Sequence, residues 1–253
     1  MAGFTLKFSV PDWCFLNTDA DAAGYYRFLA SHGITAVEMV DPSRWTIARD
    51  AGLEIINHSG PGMQKGFSEP ANHDRLIAEI VPLAAELERA GIPDLIVFSG
   101  NRNGLEDAAG FDNCVRGLSR LLDELKGCRT RLIFEMLNSF DHRDYLADNE
   151  KFGFALAEVL DTPRFSLLYD VYHMCRAGAR PLEHFDQKQK RITHFHVAAL
   201  EKRGFPGEGM HIDYRKFIRE LSRTTYRGRV GFEFCGGSPE RAAEAAQLFS
   251  TFL

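Results

Sequence analysis

The sequence predicts an α/β protein that folds as a single (β/α)8 TIM barrel spanning residues 1–253. Strand-like apolar runs alternate with amphipathic helical patterns along the whole chain, and no linker or low-complexity tract interrupts them. Eight such runs are present, which is the number that closes a barrel. A chain of 253 residues with 45% hydrophobic content also has the length that such a barrel needs. An open doubly wound sheet is the competing fold, but neither GxGxxG after the first strand nor GxxxxGK[ST] occurs.

The eight strands are predicted from runs of Ile, Leu, Val and Phe. They lie near residues 5–10, 35–40, 53–58, 94–99, 131–136, 165–170, 192–197 and 229–234. Helical patterns fill the intervals between most of them: 19–33, 74–91, 114–127, 148–160, 213–224 and 238–253. Gly33, Gly91 and Gly127 are expected to end the first three helices, and Ser238 with Pro239 to begin the last. Because strands alternate with helices and the connections are short, the strands should be parallel with right-handed crossovers.

Four metal-binding residue types occur at the ends of four successive predicted strands, in RLIFEM, RFSLLYD, ITHFHVA and RVGFEF: Glu135, Asp170, His196 and Glu233. In a parallel barrel the carboxyl ends of the strands share one face, so distant residues converge there without a local motif. Three carboxylates and one imidazole are hard, oxygen-rich ligands. They favour one divalent ion, Mn²⁺, Mg²⁺ or Co²⁺.

Each candidate ligand also has a structural interpretation. A glutamate inside an apolar strand is costly to bury without a partner, so Glu135 and Glu233 are either metal ligands or members of ion pairs. His194 and His196 face the same side of one strand. We favour His196 as the ligand because it is nearer the strand end, and His194 as a hydrogen-bonded barrel residue.

Composition restricts the partners. The net charge of −5 and the dispersed basic residues argue against nucleic acid and favour a small molecule. The five cysteines include no CxxC pair, and MAGFTLKFSV lacks the features of a signal peptide. No apolar window is long enough for a membrane span. We therefore expect a cytoplasmic protein with reduced thiols.

The segments FEMLNSFDHRDYLAD, LLYDVYHM, HFHVAALEKRGFPGEG and VGFEF resemble the xylose isomerase-like TIM-barrel superfamily and, within it, the hydroxypyruvate isomerase family. SVPDWCF, GITAVEMV and INHSGPG fit more loosely. The resemblance implies a mononuclear divalent site in which Glu135 and Glu233 also transfer protons. It implies substrate contacts for His173, in the D-x-x-H segment, and for Arg203. Relatives of this kind are often dimers or tetramers, which leaves a homo-oligomer open.

The chain also departs from the family pattern. Asp141 stands where ketose 3-epimerases have a longer glutamate that touches substrate, Met136 replaces a common proline, and FCGGSP follows Glu233. These departures weaken the prediction of the substrate more than the prediction of the metal site.

The residues favour an isomerase that acts on a small α-hydroxy carbonyl compound through an enediolate, and the resemblance implies hydroxypyruvate and tartronate semialdehyde as the pair. A cation stabilises the enediolate while carboxylates move the proton. A ketose 3-epimerase or other small-sugar isomerase is the first alternative. For it, Trp13, Phe15, His58 and Phe67 are candidate walls of a longer pocket, or else ordinary packing residues. An endonuclease-IV-like phosphodiesterase and a non-catalytic ligand-binding barrel are remote alternatives.

Overall fold

The computed structural model describes residues 4–16, 21–207 and 212–253, and the chain divides into two compact units. The first unit combines Met1–Ile56 with Pro181–Leu253, and the second is Asn57–Arg180.

The second unit contains four strands in chain order, each parallel to its neighbour: β4 (Asn57–Ser59), β5 (Asp94–Val97), β6 (Arg131–Glu135) and β7 (Phe165–Asp170). Its helices are α4 (His73–Arg89), α5 (Asp107–Glu124), α6 (Glu150–Leu160) and α7 (Val171–Arg176). All six residues of β7 are buried, which is typical of a parallel strand covered on both faces. In the register of β6 and β7, Glu135 lies opposite Leu168, so Asp170 stands two residues beyond the end of β6.

The described residues of the first unit contain five strands in the order β3, β2, β1, β9, β8, and each strand is parallel to its neighbour. They are β1 (Phe8–Pro11), β2 (Ile34–Glu38), β3 (Glu54–Ile55), β8 (Ile192–Val197) and β9 (Arg229–Phe232). Its helices are α1 (Asp12–Phe15), α2 (Ala22–Ser31), α3 (Trp45–Asp50), α8 (Phe185–Lys188), α9 (Tyr214–Ser222) and α10 (Pro239–Ser250).

The helices of the first unit follow from their local sequence. In α9 the buried residues recur at the spacing of one helical face: Tyr214, Phe217, Ile218 and Leu221. At the start of α10 the Ser238 side chain accepts a hydrogen bond from the Arg241 backbone N–H, as predicted. Gly33, which was predicted to end α2, has a φ of +81°, a value that other residues rarely adopt.

All eight predicted strand regions contain strands, but two details of the prediction are wrong. The third region holds two short strands on either side of Ile56, β3 paired with β2 and β4 paired with β5, so nine strands are described. The helix predicted from Cys114 begins seven residues earlier, at Asp107, because its first turns include Gly110, and glycine has a low helix propensity. The short helices α1, α3, α7 and α8 were not predicted, and residues 19–20 of the first predicted helix lie outside the described residues.

Within the described ranges, no helix has the length and apolar character needed to cross a bilayer.

Two glycines bring together the loops that follow β4 and β5. A Cβ on Gly100 would clash with the backbone N of Gly66 and lie 2.7 Å from its Cα, and the φ of Gly100 is +84°. We expect Gly100→Ala to lower the free energy of unfolding by about 2–4 kcal/mol, the sum of a left-handed penalty and a backbone clash.

Gly104→Ala is the matched control, because its φ is +80° and nothing lies within 4 Å of its Cβ position. It should lose only about 1–2 kcal/mol. Urea unfolding measures both variants. Equal losses would show that the clash contributes nothing.

Candidate metal centre

Glu135 is the last residue of β6, and its backbone is held by a tyrosine from the following loop. The Tyr145 hydroxyl donates to the Glu135 carbonyl oxygen at 2.9 Å and accepts from the Ser99 N–H at 3.1 Å. Tyr145 is completely buried, and burial raises the pKa of its hydroxyl, so the group remains a donor at neutral pH. The end of β6 is therefore fixed while the Glu135 side chain, 7% exposed, faces a nearly dry environment.

Asp170 ends β7 and begins the helix that follows. Its Oδ1 accepts a hydrogen bond from the His173 N–H at 3.1 Å, which caps α7. Asp170 is 1% exposed, and one oxygen of its carboxylate lies within 4.8 Å of one from Glu135. Two buried carboxylates this close repel each other unless a cation or a proton separates them. The second unit therefore holds two carboxylates that could bind a cation.

His173 belongs to a polar cluster beside Asp170. Its Nδ1 is 2.6 Å from Nδ2 of Asn138, so this ring nitrogen accepts the amide hydrogen. The same Asn138 amide group donates to Asp141 Oδ2 at 2.9 Å, and Tyr172 donates to that oxygen at 2.6 Å. Burial raises the pKa of Asp141, but the hydrogen bonds from Tyr172 and Asn138 and the charge of Arg176 outweigh it and lower the pKa. Sequence reasoning missed Asn138 and Tyr172, because a loop amide and a phenol carry no spacing signal.

His196 and Glu233 form the corresponding pair in the first unit. Their strands β8 and β9 are parallel neighbours, and His196 Nδ1 lies 2.8 Å from Glu233 Oε2. Burial lowers the pKa of His196, but the carboxylates of Glu233 and Glu38 outweigh it and raise the pKa well above the ordinary value. The ring therefore lies between negatively charged groups, which would also stabilise a bound metal cation.

Arg203 approaches this pair from the loop after β8. Its guanidinium donates to Glu233 Oε2 and lies 5.8 Å from the Trp13 ring centroid, a cation–π distance. Lys202 and Arg203 both have left-handed backbones, with φ of 53° and 50°, which a sequence of two non-glycine residues does not predict. Trp13 is 54% exposed, whereas the Arg203 side chain is 16% exposed.

Glu38 is a site residue that sequence reasoning missed. It ends β2 and is fully buried, with Oε2 lying 2.8 Å from His196 Nε2 and 2.9 Å from His194 Nε2. Its run, ITAVE, ends in an acid as RLIFE does, so the signal used for Glu135 was also present here.

The candidate pocket walls behave differently from one another. Phe15 packs on Phe234, and Phe67 on His73; both phenylalanines are fully buried, which favours packing roles. His58 is half-buried in β4, with Nδ1 2.9 Å from the carbonyl oxygen of Ser59.

The residues present fit a divalent cation. The second unit offers two buried carboxylates, and the first offers an imidazole and a carboxylate. This donor set is oxygen-rich and hard, and each member is too costly to bury without a compensating charge.

Parallel strands that end in buried carboxylates and an imidazole define a class: α/β barrels whose reactive groups stand at the carboxyl ends of the strands. The chain belongs to the xylose isomerase-like TIM barrel family, whose model matches residues 26–252. It therefore has the TIM-barrel fold that the sequence predicts.

The chain is similar to hydroxypyruvate isomerase from Escherichia coli (strain K12), with 27% identity over 114 residues. That match spans 45% of this chain and 43% of the relative, less than half of either. Among solved structures, an AP endonuclease of family 2 from Brucella melitensis superposes with a TM-score of 0.82 at 19% identity, over 98% of this chain and 99% of that one. A D-psicose 3-epimerase from Clostridium cellulolyticum H10, solved with D-tagatose, gives 0.78 at 16% identity, over 98% of both chains. At these identities the two structures show the fold.

Proposed function

We propose that this chain is a metal-dependent isomerase of a small α-hydroxy carbonyl compound, and that it interconverts hydroxypyruvate and tartronate semialdehyde. The observation that carries the proposal is the pair of buried, acid-containing clusters at the ends of neighbouring parallel strands, Glu135 with Asp170 and His196 with Glu233. In the proposal a single barrel domain uses all four side chains to bind one divalent ion, Mn²⁺, Mg²⁺ or Co²⁺. The partial likeness to hydroxypyruvate isomerase supports the substrate.

The bound ion would supply positive charge that stabilises the enediolate form of the substrate. The protein side chains move the protons. One glutamate of the pair Glu135 and Glu233 removes a proton from C3 of hydroxypyruvate, and a proton returns to C2. The hydroxyl at C3 becomes the aldehyde oxygen as the carbonyl oxygen at C2 gains a proton, so the two compounds have the same composition.

Three further residues are proposed to contact the substrate. His173, held by Asn138, would donate through Nε2 to a substrate oxygen. Asp141, which accepts hydrogen bonds from Asn138 and Tyr172, is proposed to contact the substrate as well. His58 is proposed as a wall of the substrate pocket.

Arg203 is proposed to bind the substrate carboxylate, because its planar guanidinium donates two parallel hydrogen bonds. We expect Arg203→Gln to raise KM for hydroxypyruvate by roughly 10- to 150-fold, the equivalent of a hydrogen bond to a charged group of about 1.5–3 kcal/mol. Steady-state kinetics measure this. Arg203→Lys should have a KM between those of the wild type and Arg203→Gln, because lysine keeps the positive charge but lacks the planar guanidinium that donates two parallel hydrogen bonds.

Lys202→Gln is the control, since this neighbour is exposed and also left-handed. If Arg203→Gln affects an uncharged ketose as strongly as it affects hydroxypyruvate, the arginine does not bind a carboxylate.

The test of the function is proton exchange in D₂O followed by NMR, with Mg²⁺ as the added ion and hydroxypyruvate, fructose and psicose as substrates. The proposal expects metal-dependent deuterium uptake into hydroxypyruvate with conversion to tartronate semialdehyde. Uptake confined to C3 of a ketose would replace the proposal with a 3-epimerase. No uptake with any of the three would overturn it.

A further inference from the structure

Glu38 has no part in the proton transfer proposed above, yet it is among the most costly residues in the chain to bury. Its side chain is 0% exposed, at the end of β2. Burial raises the pKa of its carboxyl group, but the imidazoles of His194 and His196 outweigh this and hold the pKa well below its ordinary value. A charged carboxylate in such an environment needs donors close by, and two imidazoles provide them.

Both imidazoles meet the same oxygen of Glu38. The Nε2 atoms of His194 and His196 lie 2.9 and 2.8 Å from Oε2. The two rings are nearly perpendicular, with an interplanar angle of 87° and centroids 4.8 Å apart, so the oxygen stands at the corner between them. His196 therefore contacts a carboxylate with each ring nitrogen: Nε2 lies 2.8 Å from Glu38 Oε2, and Nδ1 lies 2.8 Å from Glu233 Oε2.

A glycine provides the space for this arrangement. Gly231 lies opposite His196 in the pairing of β8 with β9. A Cβ at that position would clash with Glu38 Oε1 and would lie 2.8 Å from both His194 Nε2 and His196 Cδ2. The absence of a side chain on this strand is therefore what allows the carboxylate to lie against both rings.

We propose that Glu38 is a positioning residue for the metal centre: it accepts the N–H of His196 at Nε2, which turns Nδ1 of that ring toward Glu233 and the ion, while His194 Nε2 lies 2.9 Å from the same carboxylate oxygen. The inference rests on the proposed metal site. It assigns a role to two residues, Glu38 and His194, that the proposed reaction leaves unused.

The alternative is a second ion bound by Glu38, His194 and His196, since these three also offer clustered ligand atoms. The number of ions bound per chain distinguishes the two. The contact of His196 Nε2 with Glu38 Oε2, at 2.8 Å, is a hydrogen bond, which favours a positioning role for Glu38.

The first test measures metal affinity in the full-length protein. Metal-free wild type and Glu38→Gln are titrated with Mn²⁺ by calorimetry, and the number of ions per chain is counted in each. We expect one ion per chain in both and a roughly 10- to 100-fold weaker Kd in the variant, the usual effect of losing a partner of a metal-binding histidine. Glu54→Gln is the control, because it removes the same charge from an exposed glutamate in β3 that pairs with Arg229. It should bind Mn²⁺ as wild type does.

The second test observes the His196 ring directly in the wild-type protein and uses variants only for assignment and comparison. The ¹H–¹⁵N imidazole spectrum of the wild-type protein is recorded with bound Mg²⁺, and the signals are assigned with His194→Gln. We expect His196 to carry its proton on Nε2, in a hydrogen bond that slows exchange with water, and to have no proton on Nδ1. In a folded Glu38→Gln protein that signal should shift and exchange faster.

Three results would overturn the proposal: an unchanged Kd and unchanged imidazole signals in Glu38→Gln, two ions per chain in the wild type falling to one in the variant, or a His196 ring whose proton is on Nδ1. Neither test uses substrate. A protein that behaves as expected here but exchanges no substrate proton would therefore contradict the proposed reaction and leave the role of Glu38 standing.

Discussion

Glu135→Gln and Glu233→Gln are each expected to reduce kcat for hydroxypyruvate by about 10²–10⁴, the contribution of a positioned acid or base. An amide has nearly the same shape as the carboxylate and can still offer one oxygen to an ion, but it cannot accept the C3 proton. Both side chains are nearly buried, so solvent cannot readily replace the lost group. Deuterium uptake should fall in parallel with turnover, because both need the same proton transfer.

These variants are informative only when the metal content is known. Activity and uptake should be measured at saturating Mg²⁺, and the bound ion counted for each protein. Glu158→Gln, which changes an exposed glutamate on α6, is the matched control and should keep wild-type activity. A variant that keeps both its ion and its turnover would show that its glutamate transfers no proton.

Removal of the ion is the second large effect. Chelation is expected to abolish turnover and to lower stability, because the buried carboxylates of Glu135 and Asp170 then face each other without a compensating charge. An ion at 100 times its Kd should stabilise the folded chain by about 2.7 kcal/mol. For a chain of this size each kcal/mol corresponds to about 2–4 °C, so Tm should rise by roughly 5–11 °C when Mn²⁺ is added.

Asp170→Asn tests that the shift comes from this site. It should lose most of the Mn²⁺-dependent rise in Tm, since a neutral amide binds a hard cation poorly. Asp112→Asn, an exposed position on α5, should retain the full rise. If the wild type and Asp170→Asn respond equally to Mn²⁺, the ion binds elsewhere and the proposed centre is wrong.

The strands were the most predictable part of the fold. A parallel strand covered on both faces must be almost entirely apolar, so runs such as RFSLLYD are visible in the sequence, and β7 is buried throughout. The break at Ile56 was not predictable, because strand pairing depends on the neighbouring backbone as well as on the residues of the run. The early start of α5 at Asp107 has a similar cause: Gly110 in its first turns is a weak helix former, but it is buried against Leu146.

The sequence by itself determined which predicted strands carry an acid or a histidine near their carboxyl ends. This identified Glu135, Asp170, His196 and Glu233 as candidate metal ligands. Only the tertiary structure decided what each of them contacts. Tyr145 holds the Glu135 backbone from ten residues away, and Glu38 reaches His196 across 158 positions of sequence. A local sequence pattern predicts the solvent exposure of a side chain and gives its chemical type. It does not report which distant groups share its environment, because pairing and packing of separate strands bring those groups together.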